Sequence, residues 1–269
     1  MTYQPFIEEV EFLLSLLREE NLAKLGVIPW AAPVVSFGDP AACNLATLAL
    51  NPSKHEFMGS GGTPLLGASR RLESLQSLGL NAWDEAQQGD ILEIWTACAE
   101  YFFRNPYVKW FNKIDKVFAA TGASFFNRVG QRACHLDLVP FATEQKWSAL
   151  LPEQRNKLLE LSFPSFARTL TASGIRILVL NGATVVREFG DLLEKGALQR
   201  RLQADWSLQN GRVPGFSYEA RVSKIGPFSL GRELLVLGFN HNIQGSFGVP
   251  RQVVSSITDW VETRAKDSL

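Results

Sequence analysis

Four short apolar segments, each followed by a polar or proline-containing turn, constrain the fold of this chain more than any other feature. They cover residues 45–50, 133–139, 175–180 and 234–239, and stretches of helical periodicity separate them along most of the chain. Short buried strands that alternate with helices are typical of a parallel sheet with crossover helices. A further strand is expected over 218–225, joined to the last one through Gly226-Pro227. The sequence therefore predicts an α/β protein with a central, mainly parallel sheet of four to five strands.

Apolar residues at helical spacing predict the helices around these strands. An N-terminal helix is expected over 6–25, ahead of the first strand. The remaining helices are expected over 68–78, 91–103, 108–120, 153–172, 183–194 and 250–265. The segment 59–67 is rich in glycine and is predicted to be a loop between the first strand and the second helix.

Composition limits the class of protein further. The chain has 27 Lys+Arg and 27 Asp+Glu, so it lacks the basic excess of many nucleic-acid-binding proteins, although a local basic patch remains compatible with DNA. Its three cysteines form no CxxC pair, its three histidines have no metal-ligand spacing, and it contains no Walker phosphate loop. No apolar run approaches the roughly 20 residues of a membrane span. The sequence predicts a cytoplasmic protein without a metal, a cofactor or a membrane anchor.

The first candidate site lies in ALNPSKHEF, residues 49–57. A strand that ends in Asn51-Pro52 places an amide at the edge of the sheet, and proline restrains the turn that follows. Such an amide can position a water or bind a small anion. The alternative is that Asn51 only ends the strand, and that His55 is an ordinary surface histidine.

The second candidate lies in CHLDLVPF, residues 134–141. Strand alternation directs His135 and Asp137 to one face of the sheet. A carboxylate within an apolar strand is costly to bury unless it is paired. Asp137 is therefore a candidate for ligand binding, unless this face is solvated or Asp137 pairs with an arginine such as Arg132.

The third candidate follows the last strand, in GFNHNIQGSFGVP, residues 238–250. A histidine at the end of a strand can donate a hydrogen bond to a developing anion, which makes His241 a candidate. Ile243 and Phe247 are apolar residues in a polar loop, and such residues can act as wedges between stacked bases. The alternative is a histidine in a structural turn. If the strands are parallel, Asn51, Asp137, Asn181 and Asn240-His241 are expected at one crevice.

The order of these segments resembles the motifs of the uracil-DNA glycosylase superfamily. A strand ending in Asn-Pro comes first, a strand with a polar base-reading residue follows, then ILVLNGATVVREF, and finally a strand ending in histidine. The resemblance covers residues 45–248 through these short segments. It implies a three-layer α/β/α sandwich, with residues 1–269 forming a single glycosylase-like domain that carries an N-terminal helical extension. It also implies a monomer that acts on DNA.

The resemblance assigns roles to individual residues. Asn51 would orient the attacking water, His241 would contact O2 of the base, and Asp137 would read the Watson–Crick edge. Phe57 would provide a stacking platform for the extruded base, and Asn240 would lie in the base pocket. Contacts to DNA are expected from the two loops that flank these positions, at Pro52, Ser53, Gly61, Gly62, Asn242, Ile243 and Gln244. The sequence after His241 is Asn-Ile-Gln, where the family usually has Pro-Ser.

The expected activity is hydrolysis of the N-glycosidic bond of a damaged or modified base that has been flipped out of DNA. An ionised Asp137 only accepts hydrogen bonds, which favours an amino-bearing base such as a modified cytosine, for example in phage DNA as a defence function. The runner-up is a noncatalytic module that binds a nucleotide or nucleic acid, and the Asn-Ile-Gln departure supports it. A third possibility is an unrelated α/β hydrolase or transferase that uses His241 or His55.

Overall fold

The computed structural model describes residues 3–59, 61–245 and 248–266, and the chain divides into two compact units. The first unit comprises Met1–Ala41, Leu50–Tyr107 and His135–Ala172. The second comprises Ala42–Ala49, Val108–Cys134 and Ser173–Leu269. The expectation of a single domain over 1–269 stays a prediction, and each unit is described by itself.

The first unit is mainly helical. Its helices are α1 (Gln4–Glu19), α2 (Leu75–Leu78), α3 (Gln88–Ala99) and α5 (Pro152–Ala172). α1 packs against α3 and α5. Phe6 stacks on Trp95 with ring centroids 4.9 Å apart, and Arg168 pairs with the buried Glu9 through two hydrogen bonds of 2.5 and 2.9 Å. The predicted N-terminal helix is confirmed, but it ends at Glu19 and not at residue 25, and Leu22–Leu25 forms a separate 3-10 turn.

The second unit contains the sheet. Its strands are β1 (Cys43–Ala49), β3 (Ile177–Asn181), β4 (Gln199–Leu208), β5 (Val213–Ile225) and β6 (Phe228–Phe239), and β2 (Arg132–Asp137) continues into the first unit after Cys134. The order is β2-β1-β3-β6-β5-β4. The helices of this unit are α4 (Val108–Asp115), α6 (Ala183–Gly190) and α7 (Arg251–Ala265).

The sheet is parallel on one side and antiparallel on the other. β1, β3 and β6 run parallel, with Thr47 opposite Val179 and Val179 opposite Leu237. β5 pairs antiparallel with β6 and with β4. The five residues of β3 are all buried because this strand lies between two parallel neighbours. The carboxyl ends of β1, β3 and β6 therefore meet at one edge of the sheet.

The structure confirms the α/β class and corrects the number of strands. The described residues form six strands, where four to five were expected, and β4 is the one that the sequence does not indicate. Most of β4 is exposed, with Trp206 as its one buried residue, so it lacks the apolar run that marks a buried strand. The three-layer arrangement and the glycosylase likeness stay predictions.

Several helices are shorter than predicted. The helix expected over 68–78 is limited to α2, because the chain turns at 67–69 and α2 begins only after Ser74, whose hydroxyl caps it. Within the described residues, no helix is long and apolar enough to cross a membrane.

Candidate functional site

Asn51 lies two residues beyond β1, in the first unit, and is half-buried. Its Nδ2 donates hydrogen bonds to the carbonyl oxygens of Pro52 and Phe141, at 3.2 and 3.3 Å, and to Oγ1 of Thr143 at 3.0 Å. A carbonyl oxygen only accepts hydrogen bonds, so these contacts fix the orientation of the amide. Oδ1 receives no hydrogen bond from the residues that the structure describes. It can therefore accept a hydrogen bond from a water or a ligand.

Asp137 ends β2, and only 2% of its side chain is exposed. His135 lies on the same face, as strand alternation predicts, with Nε2 3.6 Å from Oδ1 of Asp137, which is too long for a hydrogen bond. Among the described residues, Oδ1 has no hydrogen-bond partner. The burial of Asp137 shows that this face is not solvated. A buried carboxylate oxygen without a donor destabilises a protein, which a donor on a ligand would relieve.

Backbone hydrogen bonds bring the Asn51 and Asp137 segments together. The Val139 N–H donates to the carbonyl of Leu50 at 2.9 Å, so the chain after β1 lies beside the chain after β2. The Asn51 side chain reaches the same segment through Phe141. These two predicted site residues therefore belong to one local arrangement in the first unit.

Glu56 is a second acidic residue of this region, and no spacing rule in the sequence singles it out. It is buried, and its Oε2 accepts a hydrogen bond of 2.5 Å from the Tyr101 hydroxyl. Burial raises the pKa of Glu56 from 4.5 to about 7, against the opposing effects of the Tyr101 hydrogen bond and the Arg71 charge. The Phe37 ring lies between the two acidic side chains' neighbours, with its centroid 4.7 Å from that of Tyr101 and 5.5 Å from that of His135. The charge of Asp137 accordingly raises the pKa of Glu56 further.

The other predicted residues of the first unit form the turn around Glu56. Pro52 is buried, while Ser53 is exposed and its Oγ accepts the His55 N–H at 3.2 Å. Phe57 is buried, with its ring edge-on to Trp30 at 6.3 Å. His55 is exposed, as is usual for a surface histidine, and so are the two loop glycines that were expected to approach DNA, Gly61 and Gly62.

His241 follows β6 in the second unit and is buried. Its Nε2 lies 2.6 Å from the carbonyl oxygen of Trp206. Because a carbonyl only accepts, Nε2 carries the proton and donates it to this bond. The neutral imidazole then has no second N–H to offer a departing base. This contact favours a structural role for His241 over the predicted contact with O2 of the base.

Asn240 bonds to the backbone on both sides of its amide. Its Oδ1 accepts the Phe216 N–H at 2.8 Å, and its Nδ2 donates to the carbonyl of Pro214 at 2.9 Å. The amide therefore joins the end of β6 to the start of β5. The expected contact with a base would require these two hydrogen bonds to break.

A network of amides fixes the loop after His241. Asn181 Nδ2 donates to Oε1 of Gln244 at 2.8 Å and to Oδ1 of Asn242 at 3.2 Å, while Asn181 Oδ1 accepts the Ile243 N–H at 3.1 Å. Gly182 has φ +100°, and a Cβ there would lie 3.3 Å from Asn242, so glycine allows the loop to approach. Asn181 is thus part of the structure of the loop.

The predicted DNA contacts in this loop are only partly accessible. Asn242 is exposed, whereas Gln244 and Ile243 are buried, at 6% and 7% exposure. The expectation of an exposed wedge at Ile243 therefore does not fit this conformation, because the side chain packs inside the second unit. Phe247, the other wedge candidate, lies outside the described residues.

Comparisons with known proteins do not assign this chain to a family. No family model, curated protein or solved structure matches the chain. The resemblance to the glycosylase superfamily therefore depends on the sequence motifs alone.

The predicted site residues divide between the two units. Asn51, Asp137 and Phe57 belong to the first, and Asn240 and His241 to the second. Their convergence at one crevice stays a prediction. The described residues contain no group of three or more His, Cys, Asp or Glu side chains that could hold a metal ion.

Proposed function

We propose that the chain is a monofunctional DNA glycosylase that hydrolyses the N-glycosidic bond of a flipped-out damaged or modified base. The observation that carries the proposal is the arrangement of Asn51 and Asp137, two side chains on adjoining segments, each with an oxygen that lacks a donor among the described residues. A glycosylase-like, three-layer fold and a monomer acting on DNA are parts of the same proposal.

Asn51 is suited to position the attacking water. Its amide is held by three acceptors, so Oδ1 points in a fixed direction. Hydrolysis develops positive charge on the sugar, and a water held by Oδ1 can attack the sugar as the base departs. A neutral amide orients this water without removing its proton, which fits a reaction in which the bond to the base breaks early.

Asp137 is suited to recognise the base. An ionised carboxylate accepts hydrogen bonds only, so it favours an exocyclic amino group over a carbonyl oxygen. A ligand amino group would supply the donor that Oδ1 lacks among the described residues. The preferred substrate is therefore an amino-bearing base, and a modified cytosine is the example that the sequence suggested.

The test is release of a base from DNA. We expect abasic sites, detected by alkaline cleavage, when the protein is incubated with a panel of single- and double-stranded oligonucleotides that carry different modified bases. Asn51→Ala should lower the rate by at least about 100-fold, the contribution of a positioned catalytic group. The matched control is Asn105→Ala, since Asn105 is also an amide bonded to a backbone carbonyl, that of Ser69 at 2.7 Å. It should keep the wild-type rate.

A second function has one observation in its favour. The proton on His241 Nε2 is engaged by the Trp206 carbonyl, so the donor expected to stabilise a departing base is occupied. This favours a noncatalytic module that binds a nucleotide or nucleic acid. Binding of a modified oligonucleotide without any abasic product over the whole panel would support this module and contradict the glycosylase.

A further inference from the structure

The Glu56 carboxyl group has one fixed oxygen and one open oxygen. The Tyr107 N–H donates to the Tyr101 hydroxyl oxygen at 2.9 Å, and the hydroxyl in turn donates to Oε2 of Glu56 at 2.5 Å. Oε2 is thereby an acceptor, so a proton on neutral Glu56 resides on Oε1. No described residue forms a hydrogen bond with Oε1. Neutral Glu56 therefore has a hydroxyl donor that the described residues do not use.

Glu56 and Asp137 share a region that disfavours two negative charges. Both are buried, at 2% and 6% exposure, and like charges in a buried region repel each other strongly. Arg71 is the nearby cation, but it also bonds to the carbonyls of His55 and Asn105 and lies 5.1 Å from the Tyr107 ring centre. Because the pKa of Glu56 is about 7, Glu56 holds its proton below neutrality.

We propose that Glu56 and Asp137 act as an acid–carboxylate pair that reads the amidine edge of a nucleobase. In this pair, neutral Glu56 donates through Oε1 to a ring nitrogen, and Asp137 accepts through Oδ1 from the adjacent exocyclic amino group. The inference rests on the proposed function for the kind of ligand, and it assigns Glu56 as a second specificity residue.

The pair discriminates between pyrimidines through the order of its donor and acceptor. Cytosine presents an amino donor at N4 and an acceptor at N3. Uracil presents the reverse, an acceptor at O4 and a donor at N3. With Asp137 opposite the exocyclic group, cytosine forms two hydrogen bonds and uracil meets two mismatches, each of which leaves buried polar groups unpaired.

The pair also makes recognition dependent on pH. The groups that face the Glu56 carboxyl among the described residues are Tyr101, Arg71 and Asp137, and His135 lies beside Asp137. As the pH rises through about 7, Glu56 loses its proton and becomes a second acceptor. The donor to the ring nitrogen is then lost, so binding of an amidine edge should weaken in alkaline solution.

The experiment measures binding of 2′-deoxycytidine and 2′-deoxyuridine to the full chain by ligand-observed NMR between pH 6 and 9. For the wild type, Kd for deoxycytidine should rise about tenfold per pH unit above the midpoint. Deoxyuridine should bind at least about 10-fold more weakly at pH 6. In Glu56→Gln, the amide oxygen can accept from Tyr101 while Nε2 donates at every pH. This variant should keep the pH 6 affinity and lose the pH dependence.

The control is His135→Gln, which removes the other titratable group beside Asp137 and should leave the midpoint in place. The inference is overturned if Glu56→Gln keeps the wild-type pH profile, if His135→Gln abolishes it, or if deoxyuridine binds as well as deoxycytidine. Thermal unfolding of each variant checks that it folds.

The result separates the two proposals because it does not require catalysis. Base release from DNA together with an unchanged pH profile in Glu56→Gln would overturn the acid–carboxylate pair and leave the glycosylase. Deoxycytidine binding with the expected profile, without base release from any oligonucleotide, would overturn the glycosylase and support the pair.

Discussion

In the second unit, the polar side chains at the end of β3 and after β6 bond to one another. In the first unit, Asn51, which follows β1, and Asp137, which ends β2, each have an oxygen atom without a donor among the described residues. Asn181, Asn242 and Gln244 use their amides to hold one loop. Asp137 Oδ1 is buried with no hydrogen-bond partner in the part of the chain that the structure describes, and Asn51 uses its nitrogen but not its oxygen.

This contrast indicates how polar residues at the end of a strand can be assigned. A buried network whose donors and acceptors are satisfied stabilises one conformation and needs no ligand. A buried acceptor without a donor lowers stability, so its presence indicates a role in binding or catalysis and not in folding. By this criterion, the first unit carries the candidate site, and the amides of the second unit are structural. Three stability measurements test this assignment.

The largest effect is expected from Asn181→Leu in the second unit. Leucine has the same branching at Cγ but leaves the Gln244 Oε1 acceptor and the Ile243 N–H donor without their partner. Each buried polar group left unpaired costs about 1–3 kcal/mol, so the free energy of unfolding should fall by about 3 kcal/mol. Urea denaturation followed by circular dichroism measures this change.

Asn112→Ala is the matched control for Asn181→Leu. Asn112 lies in α4 of the same unit and is exposed. Alanine is the better helix former, so this variant should match or slightly exceed the wild-type stability. A loss of less than about 1 kcal/mol in Asn181→Leu would show that the amide network is not structural.

The sequence predicts the parallel half of the sheet well and the antiparallel half poorly. β1 and β3 are short apolar runs, and their burial between neighbours produces the pattern that identifies them. β4 is an exposed edge strand that pairs with β5 through its backbone. Backbone pairing does not require apolar side chains, so β4 has no apolar pattern in the sequence. β5 is antiparallel to β6 because the two form a hairpin, with φ +51° at Gly226.

The candidate site is predictable only where a rule links a residue to its position in a strand. Alternation places Asp137 beside His135, and the Asn-Pro turn identifies Asn51. Glu56 lies in an irregular turn without periodicity, and its importance depends on Tyr101, which is 45 residues away in the sequence. The sequence also cannot show whether a polar side chain finds a hydrogen-bond partner. The Asn181 amide has such partners, whereas Asp137 Oδ1 has none among the described residues.

An intermediate effect of the opposite sign is expected from Asp137→Asn in the first unit. The amide carries no charge and has a smaller desolvation cost than a carboxylate with an unpaired oxygen. The free energy of unfolding at pH 8 should rise by about 1–3 kcal/mol, measured by urea denaturation. Base release, where it occurs, should fall in the same variant, because the charge that selects an amino group is gone.

Asp115→Asn tests whether any loss of an acidic side chain would have the same effect. Asp115 accepts hydrogen bonds from the Ser124 hydroxyl and from the Phe125 N–H at 2.9 Å, so its carboxylate is satisfied. Burial nevertheless raises the pKa of Asp115 despite these hydrogen bonds, so its replacement should raise the free energy of unfolding by less than Asp137→Asn does. Equal stabilisation by both substitutions would contradict the distinction between open and satisfied carboxylates.

The smallest effect is expected at His241, whose assignment as a structural residue of the second unit depends on one hydrogen bond. If this residue is structural, a side chain that can still donate to the Trp206 carbonyl should preserve stability, and one that cannot should not. The free energy of unfolding of His241→Gln should lie within about 0.5 kcal/mol of the wild-type value. For His241→Phe it should fall by about 1 kcal/mol, the net contribution of one hydrogen bond. Equal stability of the two variants would contradict a structural role for the hydrogen bond between His241 and Trp206. Loss of base release in a stable His241→Gln protein would show that the imidazole takes part in the reaction.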